Sequence, residues 1–279
     1  MRIVLIASAP PAALGYHRVL TGLGHDVPAL FAYRGPEGRY GPGYPFALHG
    51  AAPDADLVLV RSNRHMAGLF RAYEPDLVCC ASFPIKVPDE ALAVPRLGVM
   101  NAHPALLPRY RGPNPFGWAL RNGDGEIGFT LHRMTSDYDA GAIYAQGSVP
   151  LGDDEDLADE GIAKLQALVA ELVPRALTRV EAGDPGDPQD ESLASYAAPF
   201  EPEYIEVDWS QPARAIHDQT RAWKLATPTN GTRGPLTTLK GGRVRLLRTQ
   251  LDDARGGERV ETGDGPLWVV EGEPLADDG

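Results

Sequence analysis

A chain of 279 residues, 43% hydrophobic and 23% charged, suits one large or two modest domains and is long enough to bury a core. Its formal net charge of -12 opposes strong attraction to phosphate backbones or anionic lipid. No apolar run approaches the roughly 20 residues needed to span a bilayer, and the opening "MRIVLIASAPP" reads as a first strand, not a signal peptide. The only cysteines, Cys79 and Cys80, are neighbours that point to opposite faces of a strand, so they are not placed to bridge; cytoplasmic localisation is the expectation.

In chain order, residues 2–8 (RIVLIAS) form a strand, 15–27 (GYHRVLTGLGHDV) a helix and 28–33 (PALFAY) a strand. Residues 54–62 (DADLVLVRS) are a buried strand, 63–73 (NRHMAGLFRAY) a helix, and 75–82 (PDLVCCAS) and 97–103 (LGVMNAH) two more strands. Short, continuously apolar strands alternating with helices predict a doubly wound, mostly parallel α/β sheet covered on both faces. Two further strands, 127–134 (IGFTLHRM) and 141–151 (GAIYAQGSVPL), flank the acidic loop 135–141 (TSDYDAG). A long amphipathic helix is expected over 153–183, with carboxylates at its start. The Pro- and Gly-rich stretch 183–200 reads as a connector. Beyond it, a helix over 212–223 and Gly-punctuated strands over 235–251 and 257–272 make a small β-rich module. The expected domains are 1–185, a linker at 186–203, and 204–279.

Several common sites are absent. There is no G-x-G-x-x-G after the first strand, no G-x-x-x-x-G-K-[ST], no H-E-x-x-H, no Cys-rich metal cluster and no G-x-S-x-G. No metal site is read. Doubly wound sheets bind ligands at the carboxyl ends of their strands, which directs attention to the loops after Ser82, Asn101 and Met134. At the second of these, Asn101 carries a carboxamide able to donate to a developing oxyanion. His103, two residues on and on the same side of an extended strand, carries an imidazole able to take a proton from an attacking amine. Asp139, in the acidic loop, is a carboxylate able to orient that imidazole. An amide, an imidazole and a carboxylate around one point suit acyl transfer without a metal. Pro104 and Pro108 stiffen the loop beside them. Taken singly, each has a plainer reading: Asn as a turn former, His as a satisfied core histidine, Asp as a loop acid.

The stretches "NAHPALLPRYRGPNP", "GFTLHRM" and "DYDAGAIYAQ" together resemble the folate-dependent formyltransferase family. The likeness is to its methionyl-tRNA formyltransferases and, more closely, to the amino-sugar N-formyltransferases that act on UDP-4-amino-4-deoxy-arabinose. The family pattern is N-x-H, S-L-L-P-x-Y/W-R-G, and a G-x-T-x-H-x-M strand leading to D-x-G; here Ala105 replaces the usual Ser. The resemblance covers 1–190 and continues more weakly through 206–223, which is similar to the opening of the family's small OB-like C-terminal domain. It implies the formyltransferase fold and matches Asn101, His103 and Asp139 to the family's catalytic residues. The implied reaction moves a formyl group from 10-formyltetrahydrofolate, as donor substrate, to a primary amine. Asn101 and protonated His103 would then stabilise the oxyanion, with Asp139 positioning His103. Residues 81–92 match the loop that wraps the pterin, making Phe83, Ile85, Lys86, Val87, Tyr138 and Asp139 the donor-binding candidates.

Tyr110 and Arg111 are candidates to meet the acceptor, Arg111 through a phosphate or carboxylate. His132 reads mainly as a structural hydrogen-bonding residue, and Trp118 and Trp209 as packing residues. The connector has acids and no Lys or Arg, so a tRNA acceptor is disfavoured. The leading acceptor is a small-molecule amine: a nucleotide-linked amino sugar first, then an amine in natural-product biosynthesis such as a hydroxyornithine. Methionyl-tRNA formylation stays as one alternative. A formyltetrahydrofolate hydrolase is another, set back by the absence of an additional N-terminal regulatory domain before Met1; a non-catalytic folate-binding protein is the third. No membrane partner is expected, and the oligomeric state is open, a homodimer included.

Overall fold

The computed structural model describes residues 1–35, 41, 43–153, 155, 161–225, 234–253 and 256–275. Chain packing divides them into two compact units. The first comprises Met1–Arg111, Gly128–Val149 and Ala163–Ala194; the second comprises Gly112–Ile127, Pro150–Ile162 and Ser195–Gly279.

The first seven strands are β1 (Ile3–Ala7), β2 (Ala29–Tyr33), β3 (Asp56–Val60), β4 (Leu77–Ser82), β5 (Val99–His103), β6 (Glu126–Arg133) and β7 (Ile143–Pro150). They form one sheet in the order β3-β2-β1-β4-β5-β6-β7. The β1–β2, β2–β3, β1–β4 and β4–β5 pairs are parallel, and β5–β6 is antiparallel. The expected doubly wound, mostly parallel α/β sheet is therefore present. Alternation along β1 feeds two cores at once: Ile3, Leu5 and Ala7 join one apolar cluster, Val4 and Ile6 the other. The cysteines divide the same way, Cys79 to the first cluster and Cys80 to the second, and both are free thiols.

The helices are α1 (Pro10–Gly22), α2 (Tyr44–Ala51), α3 (Met66–Tyr73), α4 (Asp89–Leu92), α5 (Pro115–Arg121), α6 (Ile162–Glu181) and α7 (Ala213–Leu225). Helix α1 starts five residues before the sequence expectation because prolines occupy its first turn, where the missing N–H costs nothing. Helix α6 is described from Ile162; the expected acidic start, within 153–160, lies largely outside the described residues. Asp153 and Glu155 lie before it, and 154 and 156–160 fall outside the described residues. Helices α2, α4 and α5 are short and were not anticipated. In α5 the Pro and Gly of "GPNPFGW" mask a seven-residue helix.

The second unit holds a separate antiparallel sheet, ordered β10-β11-β9-β8, from β8 (Leu236–Leu239), β9 (Gly242–Gln250), β10 (Glu258–Glu261) and β11 (Pro266–Pro274). Ile216 of α7 packs with Leu246, Leu267 and Val269 in its core. As expected, Trp209 packs there too, its Nε1 donating to Thr237 Oγ1. Trp118 of α5 likewise packs, 6.0 Å from the Phe200 ring, with Nε1 donating to Ala198 O.

Candidate active site

The strand order reverses between β1 and β4, and Ser8 N donates to Ser82 O at 2.8 Å just past their carboxyl ends. Strand β5 adjoins β4, so Asn101 and His103 at its end lie beside this switch point. The antiparallel register sets Asn101 opposite His132 and His103 opposite Thr130. Directly opposed residues share a face, which brings the Asn101 carboxamide and the His132 ring together. Asp139 arrives from the loop after β6. Its φ is +53°, and the loop returns through Gly141, where a Cβ would stand 1.8 Å from Arg133 O. Only glycine permits that close approach.

These four side chains meet. Asn101 Nδ2 donates to His132 Nε2 at 3.1 Å and to Asp139 Oδ1 at 3.3 Å. His103 Nδ1 lies 3.5 Å from Asp139 Oδ2, and His132 Nε2 lies 3.5 Å from Asp139 Oδ1. Carbonyl oxygens only accept, and this fixes both imidazoles. His132 Nδ1 bonds Arg133 O at 2.9 Å, so Nδ1 carries the proton and Nε2 accepts from Asn101. His103 Nε2 bonds Tyr110 O at 2.7 Å, so Nε2 carries the proton and Nδ1 turns a lone pair towards Asp139.

His103 is 4% exposed, and burial holds its pKa below the ordinary imidazole value. The Asp139 charge and the Tyr110 carbonyl oppose that fall, while His132 adds to it. An uncharged imidazole beside a carboxylate is a proton acceptor with its counter-charge already in place. Burial, helped by Asp139, also pushes the Cys80 thiol up to about 12.

Other candidates fall as follows. Phe83 and Ile85 are half-buried, with Phe83 edge-on to Tyr33 at 6.5 Å. Lys86 is exposed, and its Nζ sits 5.5 Å from the centroid of the exposed Tyr138 ring. Val87, 3% exposed, packs in the core, so its side chain does not face a ligand. Tyr110 is also buried, its hydroxyl accepting from Arg109 Nη2 at 2.7 Å; its carbonyl, not its ring, reaches the cluster. Arg111 does not present a free guanidinium: Gln189 Oε1 accepts from its Nη2 at 2.7 Å, and Glu191 Oε1 and Oε2 accept at 2.7 and 2.9 Å.

His132 is the hydrogen-bonding residue expected, although its partner Asn101 was not foreseen, and Gln189 was overlooked. The histidine was visible in its motif, but its meeting with Asn101 depends on a strand register that one sequence does not reveal. The glutamine sits in a polar stretch with no local signal. Among the described residues, no group of three or more His, Cys, Asp and Glu side chains is arranged to hold a metal ion.

Fold and cluster together define a doubly wound α/β protein with a carboxamide, two imidazoles and a carboxylate gathered beside its switch point. Residues 55–177 match the Formyl transferase family, and 200–275 match Formyl transferase, C-terminal domain. A methionyl-tRNA formyltransferase of Pelobacter propionicus is 33% identical over 230 residues, covering 79% of this chain and 69% of the relative. The chain belongs to the formyl transferase family. Two solved structures share its fold. HypX from Aquifex aeolicus in complex with tetrahydrofolic acid has a TM-score of 0.68 at 21% identity, covering 100% of this chain and 45% of HypX. A 4-N formyltransferase from Francisella tularensis has a TM-score of 0.68 at 17% identity, covering 91% of this chain and 98% of its own.

Proposed function

We propose that this protein transfers a formyl group from 10-formyltetrahydrofolate to the primary amine of a small acceptor, a nucleotide-linked amino sugar or a natural-product amine. The observation that carries the reading is the meeting of Asn101, His103 and Asp139 beside the sheet's switch point, within 3.5 Å of one another where paired. The donor-side segment 83–87 fits a flat heterocycle with polar edges. Among the described residues its backbone makes one hydrogen bond, Lys86 O accepting from Asn63 Nδ2, which leaves peptide groups for the ring edge. Phe83 and Ile85 supply half-buried apolar surface beside it. Val87 contributes backbone there, and Lys86 with Tyr138 forms the solvent side. Catalysis belongs to 1–185, with 186–203 as connector and 204–279 as the small β-rich domain.

The chemistry follows from the hydrogen bonds. Because Tyr110 O holds His103 Nε2–H, the imidazole works through Nδ1. Nδ1 takes the proton released when the amine attacks the formyl carbon, and Asp139 stabilises the resulting imidazolium. That proton passes to N10 of the donor as the C–N10 bond breaks and tetrahydrofolate leaves. Both Asn101 N–H groups are engaged before substrate binds. The 3.3 Å bond to Asp139 is the longer of the two, and it exchanges for a bond to the carbonyl oxygen as that oxygen becomes negative. His132 keeps its own bond to Asn101 and so aims the carboxamide. This revises the expected division of labour: His103 manages the proton, and oxyanion stabilisation falls mainly to Asn101. With Arg111 held by Gln189 and Glu191, acceptor recognition through it becomes indirect.

The name of the Pelobacter relative supports a second acceptor, methionyl-tRNA. The acidic charge supports the first. The test is to incubate the chain with 10-formyltetrahydrofolate and, separately, nucleotide-linked amino sugars, amino-acid amines and initiator methionyl-tRNA. Release of tetrahydrofolate and mass gain of one formyl group are the readouts. Gain on a small amine is expected. Gain on methionyl-tRNA alone replaces the acceptor, amine-independent release indicates hydrolysis, and folate binding without turnover removes the enzyme reading.

A further inference from the structure

The connector contributes a side chain that the catalytic reading does not use. Gln189 Nε2 donates to Asp139 O and to Gly141 O, both at 2.8 Å. Its Oε1 accepts from Arg111 Nη2 at 2.7 Å and from Arg111 Nε at 3.1 Å. The carboxamide thus spends both hydrogens and both lone pairs on the two segments that flank His103. One segment supplies Asp139 Oδ2 to His103 Nδ1. The other runs from Tyr110, whose carbonyl holds His103 Nε2, straight into Arg111. The grip also falls where the backbone needs holding: Asp139 and Tyr110 are both non-glycine residues at positive φ, +53° and +60°.

We propose that Gln189 is a positioning residue: by tying the Asp139–Gly141 turn to Arg111, it fixes the gap in which His103 sits and so keeps the imidazole proton on Nε2. A carboxamide has the needed pattern of donors and acceptors. Glutamate of the same shape sets carboxylate oxygens against two carbonyls, and a hydrocarbon leaves all four partners unmet. The guanidinium on Oε1 polarises the amide and strengthens both of its donated bonds.

The kinetic consequence rests on the formyl-transfer reading; the consequence for the imidazole does not. The experiment compares Gln189→Leu and Gln189→Glu with the unaltered chain, using Ser192→Ala as a neighbour that touches neither segment. It measures kcat and KM for donor and amine, and the tautomer of His103 from its ring-nitrogen chemical shifts. Expected is a fall in kcat of about 10- to 100-fold in both Gln189 variants, with each KM within about threefold. Expected too is Nε2–H in the unaltered chain and a mixture of tautomers in the variants, with Ser192→Ala matching the unaltered chain in every measure. The proposal is overturned if kcat stays within about twofold or if His103 keeps one tautomer throughout. It also falls if both variants fail to fold, since the role is then structural. If the unaltered chain formylates no amine, the functional reading fails while the nitrogen shifts still decide the part played by Gln189.

Discussion

His103 has one nitrogen for structure and one for chemistry. Its Nε2 is committed to Tyr110 O, and its Nδ1 faces a carboxylate. Replacing His103 or Asn101 by Ala should each lower kcat by at least about 100-fold while donor binding, followed by fluorescence titration, changes little. Normal turnover in either variant would remove it from the machinery. The pH dependence has a definite sign. Burial lowers the His103 pKa and Asp139 raises it, so the neutral, working form is lost only in acid, below the ordinary value of about 6.5. Asp139→Asn removes the raising charge, so the acid limb of kcat/KM should move to lower pH as the rate drops. A limb that moves up instead would show that Asp139 does not face the imidazole. Asn101 and His103 were legible because residues two apart on a strand share a face. Their partners on β6 were not, since register is a property of two strands and a motif belongs to one.

At the scale of elements, the site is held by contacts that admit no added atoms. A Cβ at Gly128 would stand 2.3 Å from Leu106 N, and one at Gly141 1.8 Å from Arg133 O. Gly141→Ala should therefore displace the Asp139 turn and lower kcat as well as stability. Gly128→Ala should separate β6 from the 105–107 loop and cost about 2 kcal/mol or more in urea unfolding. An unchanged midpoint in the Gly128 variant would refute the close approach. The same sheet silences both thiols. Cys79 and Cys80 are buried on opposite faces, and burial raises both pKa values, Cys80 to about 12. A disulfide reagent at pH 8 should label neither until the chain is unfolded. The strands were plain in the sequence because continuous apolar runs have few other uses. Helix α5 was hidden because its seven residues span less than two full turns of periodicity and are flanked by Gly and Pro.

At the scale of the molecule, no helix among the described residues is long and apolar enough to cross a membrane. The chain passes between its two compact units five times. Composition foretold a β-rich end; that 112–127 and 150–162 cluster with it was not legible, because a sequence shows neighbours along the chain only. Within the second unit, the Arg121 guanidinium of α5 lies 4.1 Å from the Tyr204 ring centroid and pairs with Glu201 at 2.5 Å. A chain ending at Ala194 should therefore aggregate, by light scattering, because Trp118 and its neighbours lose their cover. A soluble monomer from that truncation would contradict this.

That interleaving sets a timetable for synthesis. The ribosome releases α5 well before Phe200, Tyr204 and α7, against which it settles. Its apolar face must wait, exposed, while some eighty later residues are still being added, about 4–16 s at ordinary elongation rates. During that interval a nascent-chain chaperone would find its foothold on α5, and slow stretches of message downstream would lengthen the window.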